Sequence, residues 1–286
     1  MTTAYSYAPG TPSWVDVESP DPSGSAEFYE ALFGWKRRSV GAPDQGSYSM
    51  MTLKDQVVAG LGSRNMDASR PVAWSVHVTV EDVDATVAKC LELGGSVVLE
   101  AADVMQAGRS AVVEDPLGTT ISLRQARDRD GVELVNEPGA FTWSELASTD
   151  LEASAKFYVD LFGWGLHETT EHHRAFTVDG KVVCGGHTAA PGEASGWLVW
   201  FDVEDCDEVA ARADSLGGKV IVNPGDLDFG RGAVIADTMG RPSGLARSGP
   251  ISSNPLHDTA EPRPGAAPIR CRPRAASRPG FSVGTS

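Results

Sequence analysis

The sequence predicts an α+β fold of tandem βαβββ modules. Three observations predict it. The octet FYEALFGW at 28–35 returns as FYVDLFGW at 157–164, with six of eight letters identical at an interval of 129 residues. Further segments repeat in the same order: WVDVESPD at 14 answers WSELASTD at 143, VHVTVEDVD at 76 answers VWFDVEDCD at 199, and AGRSAVVEDPLG at 107 answers FGRGAVIADTMG at 229. Around these motifs, helical spacing alternates with the two-residue period of half-buried strands. The duplicated halves are expected to face one another, with the seat of activity in the gap between them.

Each half reads as strand, helix, several strands, and again strand, helix, several strands. The first strand of each half alternates polar and apolar residues and ends at Asp21 or Asp150, residues suited to capping a helix N-terminus. Apolar residues then recur at Ala26, Tyr29, Leu32 and Phe33, and at Ala155, Tyr158, Leu161 and Phe162, a single buried stripe. Gly34 and Gly163 follow, where a left-handed cap stops the helix. Trp35 and Trp164 close the octets and are expected in the core. The second helix of each half ends at LGG (93–95 and 216–218), again a C-cap rather than a phosphate loop. The repeat interval shrinks from 129 to 122 residues along the halves, which places the length differences in loops after the first helix.

These repeats divide the chain into a first module at 9–126, a polar linker at 127–138, a second module at 139–248 and a tail at 249–286. The tail holds seven prolines and five arginines with almost no apolar period, so it is expected to be disordered. Its arginines exceed its two acids, so the body is more acidic than the net charge of −15 of the whole chain. Such a field repels phosphate backbones and anionic lipid, which argues against nucleic acid and membrane surfaces as partners. No apolar run suits a membrane span, and the N-terminus lacks the basic start and apolar stretch of a secretory signal, so a cytoplasmic protein is expected. The four cysteines form no CxxC pattern, and there is no GxGxxG after a strand, no phosphate loop and no GxSxG elbow.

The doubled motifs, D…FY…LFGW in the first helix, V-x-D-V/C-D at the second strand-to-helix turn and a DPxG-like final hairpin, resemble the vicinal oxygen chelate superfamily across about residues 12–247. That superfamily includes glyoxalase I, bleomycin- and fosfomycin-resistance proteins and extradiol dioxygenases, and the style is closest to two-module glyoxalase-like proteins of actinobacteria, often labelled hydroxylases. The resemblance implies mixed sheets bent into cups, and a divalent metal held by inward-facing His, Gln or Glu at three positions per module. The first lies seven residues before the Asp that opens the first helix and lands on Trp14 and Trp143; the second lands on Ser75 and Leu198; the third on Ser122 and Gly244. None supplies an imidazole or carboxylate, so no metal and no other cofactor is expected.

Strand alternation indicates what stands there instead. The cup face of the first module should carry Trp14, Asp16 and Glu18 on one strand and Ser75, His77 and Thr79 on another, with Ser122 nearby; Val15, Val17, Val76, Val78 and Val80 face the other way. The second should carry Trp143 and Glu145, then Leu198, Trp200 and Asp202. Indoles and carboxylates on a concave face suit a flat, partly polar organic molecule, for example an aromatic polyketide-like one. His77, Asp16 and Glu145 are the candidate proton-transfer residues. His172 and His173 read as a polar loop, TTEHHRAF, whose adjacent side chains point apart; His187 could face the second cup beside Glu145.

Two functions remain open from the sequence. One is a metal-free small-molecule binder with an accessory or resistance role in natural-product metabolism, sequestering its ligand or presenting it to a tailoring-enzyme partner. The other is a glyoxalase-like lyase or hydroxylase-type tailoring enzyme. Tandem modules complete their cups within one chain, so a monomer suffices and a homodimer through edge strands is compatible.

Overall fold

The computed structural model describes residues 5–40, 48–63, 73–104, 107–167, 170–227, 230–248 and 260–262. Two eight-stranded mixed sheets make up the body, one from each half of the chain. The first sheet runs β3 (Lys36–Val40), β4 (Tyr48–Leu53), β5 (Gln56–Ser63), β2 (Pro12–Ser19), β6 (Trp74–Thr79), β9 (Thr120–Ala126), β8 (Gly108–Glu114), β7 (Ser96–Val104). The second repeats this order as β11 (Gly165–His167), β12 (His173–Val178), β13 (Lys181–Thr188), β10 (Phe141–Ser148), β14 (Gly196–Asp202), β17 (Pro242–Ser248), β16 (Gly230–Ala236), β15 (Lys219–Leu227). Each sheet is therefore two βαβββ units joined along their first strands, with β2 antiparallel to β6 and β10 antiparallel to β14.

The helices form where the caps foretell. Helix α1 (Pro22–Phe33) begins as the Asp21 carboxylate accepts from the Gly24 amide at 3.0 Å, and α3 (Leu151–Phe162) begins in the same way at Asp150 and Ala153. Gly34 and Gly163 stop them at φ 74° and 72°, where a Cβ would be strained. Helices α2 (Val83–Glu92) and α4 (Cys206–Ser215) are capped by Asp82 and Asp205. Beneath the helices lie the alternate strand residues Val15, Val17, Val76, Val78, Leu123, Val199 and Leu245, all buried.

The two halves meet along a packed seam, not across a gap. Phe201 contacts the rings of Trp74, Trp35 and Phe33 at centroid distances of 5.1, 5.5 and 5.2 Å. Reciprocal hydrogen bonds tie the octet tryptophans to the opposite half: Trp35 Nε1 donates to the Gly139 carbonyl and Trp164 Nε1 to the Gly10 carbonyl, both at 2.7 Å. The expectation of a site between facing halves is thus corrected. Aromatic side chains fill that space, and each cup belongs to the polar face of a single sheet.

A second reciprocal pair of contacts is polar, and here the halves diverge. Tyr29 of α1 donates to Asp237 Oδ2 at 2.8 Å. Asp237 also accepts from Arg241 Nε at 2.6 Å, and Arg241, fully buried, donates onward to the Glu18 carbonyl and to Ser25 Oγ across the seam. In the first half the corresponding carboxylate, Asp115, has Thr119 in place of the arginine and accepts from the Leu117 and Thr119 amides and from Ser154 Oγ. Burial raises the Asp115 pKa, against the opposing pull of those amides.

The segment at 127–138 packs against the first module through buried Val132, Leu134 and Val135, with Val132 donating its amide to Ser13. The tail expected to lack order lies outside the described residues except for β18 (Ala260–Pro262), which pairs antiparallel with β1 (Tyr5–Tyr7).

Candidate functional site

Pairing register places the predicted cup residues together, because directly opposed residues point to one side of a sheet. In the first module Trp14 opposes His77, and Asp16 lies between Ser75 of β6 and Gly60 of β5. His77 Nε2 lies 3.0 Å from Asp16 Oδ1. Tyr48 of β4 donates to Asp16 Oδ2 at 3.0 Å and accepts from Trp14 Nε1 at 3.2 Å. Gly60 makes this geometry possible: a Cβ there would fall on the Tyr48 hydroxyl and 2.8 Å from Asp16 Cβ. Burial acts to raise the Asp16 pKa, but the His77 ring and the Tyr48 and Trp14 donors outweigh it, and the carboxyl is held below its ordinary value. Ser122 is buried beside His77, Glu18 lies half-buried two residues beyond Asp16, and Thr79 turns its hydroxyl to Ser13 Oγ at 2.6 Å.

One residue that strand alternation did not single out dominates this cup. Arg124 of β9 lays its guanidinium 5.2 Å from the Trp14 ring centroid, a cation–π contact, and donates to the Arg129 carbonyl at 2.5 Å. Both Arg124 and Trp14 are buried, at 7% and 4% exposure.

The second cup repeats the plan with different side chains. Glu145 stands where Asp16 does, opposite Leu198 and beside Gly185. Trp143 Nε1 donates to Glu145 Oε2 at 2.7 Å. His173 takes the place of Tyr48 on the next strand, with Nε2 3.3 Å from Glu145 Oε1, and His187 Nδ1 reaches the same oxygen at 3.3 Å while its Nε2 meets Glu193 at 3.1 Å. The reading of His173 as part of a polar loop is corrected: it opens β12, paired directly with His187. His172 lies outside the strand. The signal available in the sequence was the alternation His173, Ala175, Thr177, which matches Tyr48, Met50 and Thr52. Trp200 replaces His77 and packs its six-membered ring on Gly244 and Gly232, positions where a Cβ has no room. Asp202 is buried at the end of β14.

Burial works to raise the Glu145 pKa, yet hydrogen bonds from His173, His187 and Trp143 prevail and hold it below its ordinary value. The same carboxylate raises the pKa of His187. A histidine with a raised folded-state pKa contributes stability that is complete below its unfolded value of about 6.5 and is lost as pH rises through the folded value. Glu145→Gln should therefore move the His187 imidazole titration, followed by NMR, downward toward that ordinary value; an unmoved titration would show that the two side chains are not coupled.

None of the six residues at the superfamily's metal positions carries an imidazole or a carboxylate. Trp14, Ser75 and Ser122 stand in one cup and Trp143, Leu198 and Gly244 in the other; both first-position indoles are committed to internal hydrogen bonds, and the place of a side chain at 244 is taken by the Trp200 ring.

Comparison with known proteins agrees with this architecture. Residues 14–124 match the glyoxalase-like domain, and residues 140–242 match the glyoxalase/bleomycin resistance protein/dioxygenase superfamily. A Mycobacterium tuberculosis protein named "Putative glyoxylase CFP32" is 36% identical over 245 residues, covering 82% of this chain and 93% of its own. The chain belongs to the glyoxalase/bleomycin resistance protein/dioxygenase superfamily. Within the superfamily, the anthracycline biosynthesis protein DnrV of Streptomyces peucetius is 32% identical over 255 residues, 82% of this chain and 92% of its own. Solved structures share the fold at low identity: the Mn(II)-bound glyoxalase of Novosphingobium aromaticivorans has a TM-score of 0.55 at 14% identity, covering 96% of this chain and 95% of that one. The 2,3-dioxygenase LapB of Pseudomonas sp. KL28 has a TM-score of 0.56 at 13% identity, covering 87% and 93%. Among the described residues, no helix is long and apolar enough to cross a membrane.

Proposed function

We propose that this superfamily member is a metal-independent binding protein that takes a flat, aromatic small molecule against a cup face. Its setting is natural-product metabolism in the cytoplasm, as an accessory or resistance protein, alone or handing its ligand to a tailoring enzyme. The observation that carries the reading is the character of the six inherited metal positions: indole, hydroxyl, aliphatic or glycine, with no nitrogen or carboxylate ligand among them. Beside the Trp143 indole among them stand the Trp200 indole, the half-buried Asp16 carboxylate and the buried Glu145 carboxylate, a combination that grips a planar ring system by stacking and orients it through its hydroxyl groups. Kinship with the anthracycline biosynthesis protein DnrV supports an aromatic polyketide-like ligand.

Titration of the purified chain with 1,4-dihydroxyanthraquinone should quench tryptophan fluorescence saturably, and the compound should be recovered unchanged after long incubation. Elemental analysis showing one stoichiometric divalent metal per chain would overturn the metal-independent reading.

A specific contact favours a second reading, proton-transfer catalysis by His77, Asp16 and Glu145: the His77 imidazole sits 3.0 Å from Asp16, the arrangement of an oriented acid or base. On that reading turnover persists with chelators and is abolished by His77→Ala.

A further inference from the structure

Both cups have the same strands in the same order, yet their floors differ at a position that decides access. Arg124 of β9 is matched in β17 by Ala246: Arg124 opposes Thr79, and Ala246 opposes Asp202, the equivalent of Thr79. In the first cup the guanidinium reaches across to cover the Trp14 indole and is anchored on the far side by the Arg129 carbonyl. The Nε of Arg124 is buried with no hydrogen-bond partner, so the side chain occupies space in the floor beyond what its own bonds require. Asp16, half-buried, is held by His77 and Tyr48.

The second floor has only a methyl group at Ala246. Trp143 is accordingly half-buried, whereas Trp14 is buried. From the Trp143–Glu145 pair an apolar surface continues through Leu198 and Trp200 to Val234 and, at the rim, to Leu227, which is 40% exposed and touches the place a Cβ on Gly232 would take. The first rim is also apolar, with Leu99 44% exposed beside Val112, so the rims are alike and the floors are not.

We infer that Arg124 is a plug that closes the first cup, leaving one open ligand site per chain, in the second cup, for a planar apolar molecule whose hydroxyl donates to Glu145. This rests on the binding reading above and narrows it to one of two related sites. Glu145 keeps 10% of its side chain exposed beneath two imidazoles that approach one of its oxygens at 3.3 Å, long contacts that an entering ligand hydroxyl can replace with a shorter one. Arg124, Ala246 and Val234 then set which cup is used.

The test is calorimetric titration of the full chain with 1,4-dihydroxyanthraquinone, reading stoichiometry and affinity. Val112 and Val234 are twins, half-buried on the cup faces of β8 and β16 opposite Ser122 and Gly244. Val234→Glu should weaken binding by roughly tenfold or more, because a carboxylate in the apolar wall must be desolvated when the ring system docks, while Val112→Glu should leave it within about twofold. Arg124→Ala should raise the stoichiometry from one toward two. The reverse pattern for the valine pair, equal losses in both, or no loss in either overturns the assignment to the second cup while leaving small-molecule binding intact. Absence of any binding by the unmodified chain overturns the parent reading and this inference with it. Should Arg124→Ala fail to fold, the valine pair decides alone.

Discussion

Asp237→Asn should cost about 3–5 kcal/mol of stability, the largest loss expected from any single conservative change in this chain. The reason is local and countable. Asp237 Oδ1 accepts the Met239 and Arg241 amides at 2.9 and 3.0 Å, and Oδ2 accepts Arg241 Nε at 2.6 Å and the Tyr29 hydroxyl at 2.8 Å. An asparagine can keep the two amide bonds through its oxygen, but its NH2 then confronts the Arg241 N–H, donor against donor. The guanidinium is fully buried, so water cannot relieve it. Urea or thermal unfolding measures the loss. The first module supplies the control, since it has Thr119 where the second has Arg241. Adding Arg241→Thr to Asp237→Asn should therefore restore part of the stability, giving a coupling on the order of 2 kcal/mol in a double-mutant cycle. Strict additivity would show that the ion pair does not organise the seam.

The matching substitution in the other half, Asp115→Asn, should change stability by less than about 1 kcal/mol, because among the described residues no cation pairs with that carboxylate. Its sign with pH is opposite to the usual case. An Asp whose folded pKa is raised binds its proton more tightly when folded, so its contribution is fully favourable below the unfolded value, near 3.9, and is lost as pH rises through the folded value. Asp115→Asn should remove that decline, and equal pH profiles for parent and variant would contradict the burial argument.

These contrasts explain how much the sequence disclosed. The fold was legible because each piece carries a local physical reason repeated twice: Asp21 and Asp150 cap, Gly34 and Gly163 terminate in the left-handed region, and the strand valines alternate with polar residues. Alternation also brought Trp14, Asp16 and His77 onto one face, as the register places them. What strand parity cannot supply is reach. Arg124 and Tyr48 enter the first cup from strands whose own period is unremarkable, and their roles depend on distances across the sheet, such as the 3.0 Å from Tyr48 to Asp16. His173 was hidden by its neighbour His172, since two adjacent imidazoles read as a loop until pairing with His187 fixes which of them faces Glu145. Nor does parity tell a seam from a gap: the aromatic ring contacts between Phe201, Trp74 and Trp35 involve residues far apart in the chain.

Gly244→Ala should be the second most damaging small change, costing about 1–3 kcal/mol by overpacking and weakening the anthraquinone probe by roughly tenfold. Gly244 opposes Trp200 in register, and a Cβ built there falls on Cδ2, Cε3 and Cε2 of the indole with no space between. The space over Gly232 is already shared with Leu227, whose Cδ1 lies 2.5 Å, and the indole Cζ3 3.2 Å, from the point a Cβ on that residue would take. The indole must swing outward into the cup, so stability and binding should fall together. Trp200→Leu in the Gly244→Ala background should recover stability, since the smaller side chain frees the space, but not affinity, since the stacking surface is gone. Unchanged thermal stability and probe affinity in Gly244→Ala would mean that Trp200 is not wedged as described. The same geometry bears on the superfamily's chemistry: any ligand side chain restored at 244, including Gly244→Glu, begins with the Cβ that the indole excludes. An inward ligand side chain at 244 therefore requires displacing Trp200 first.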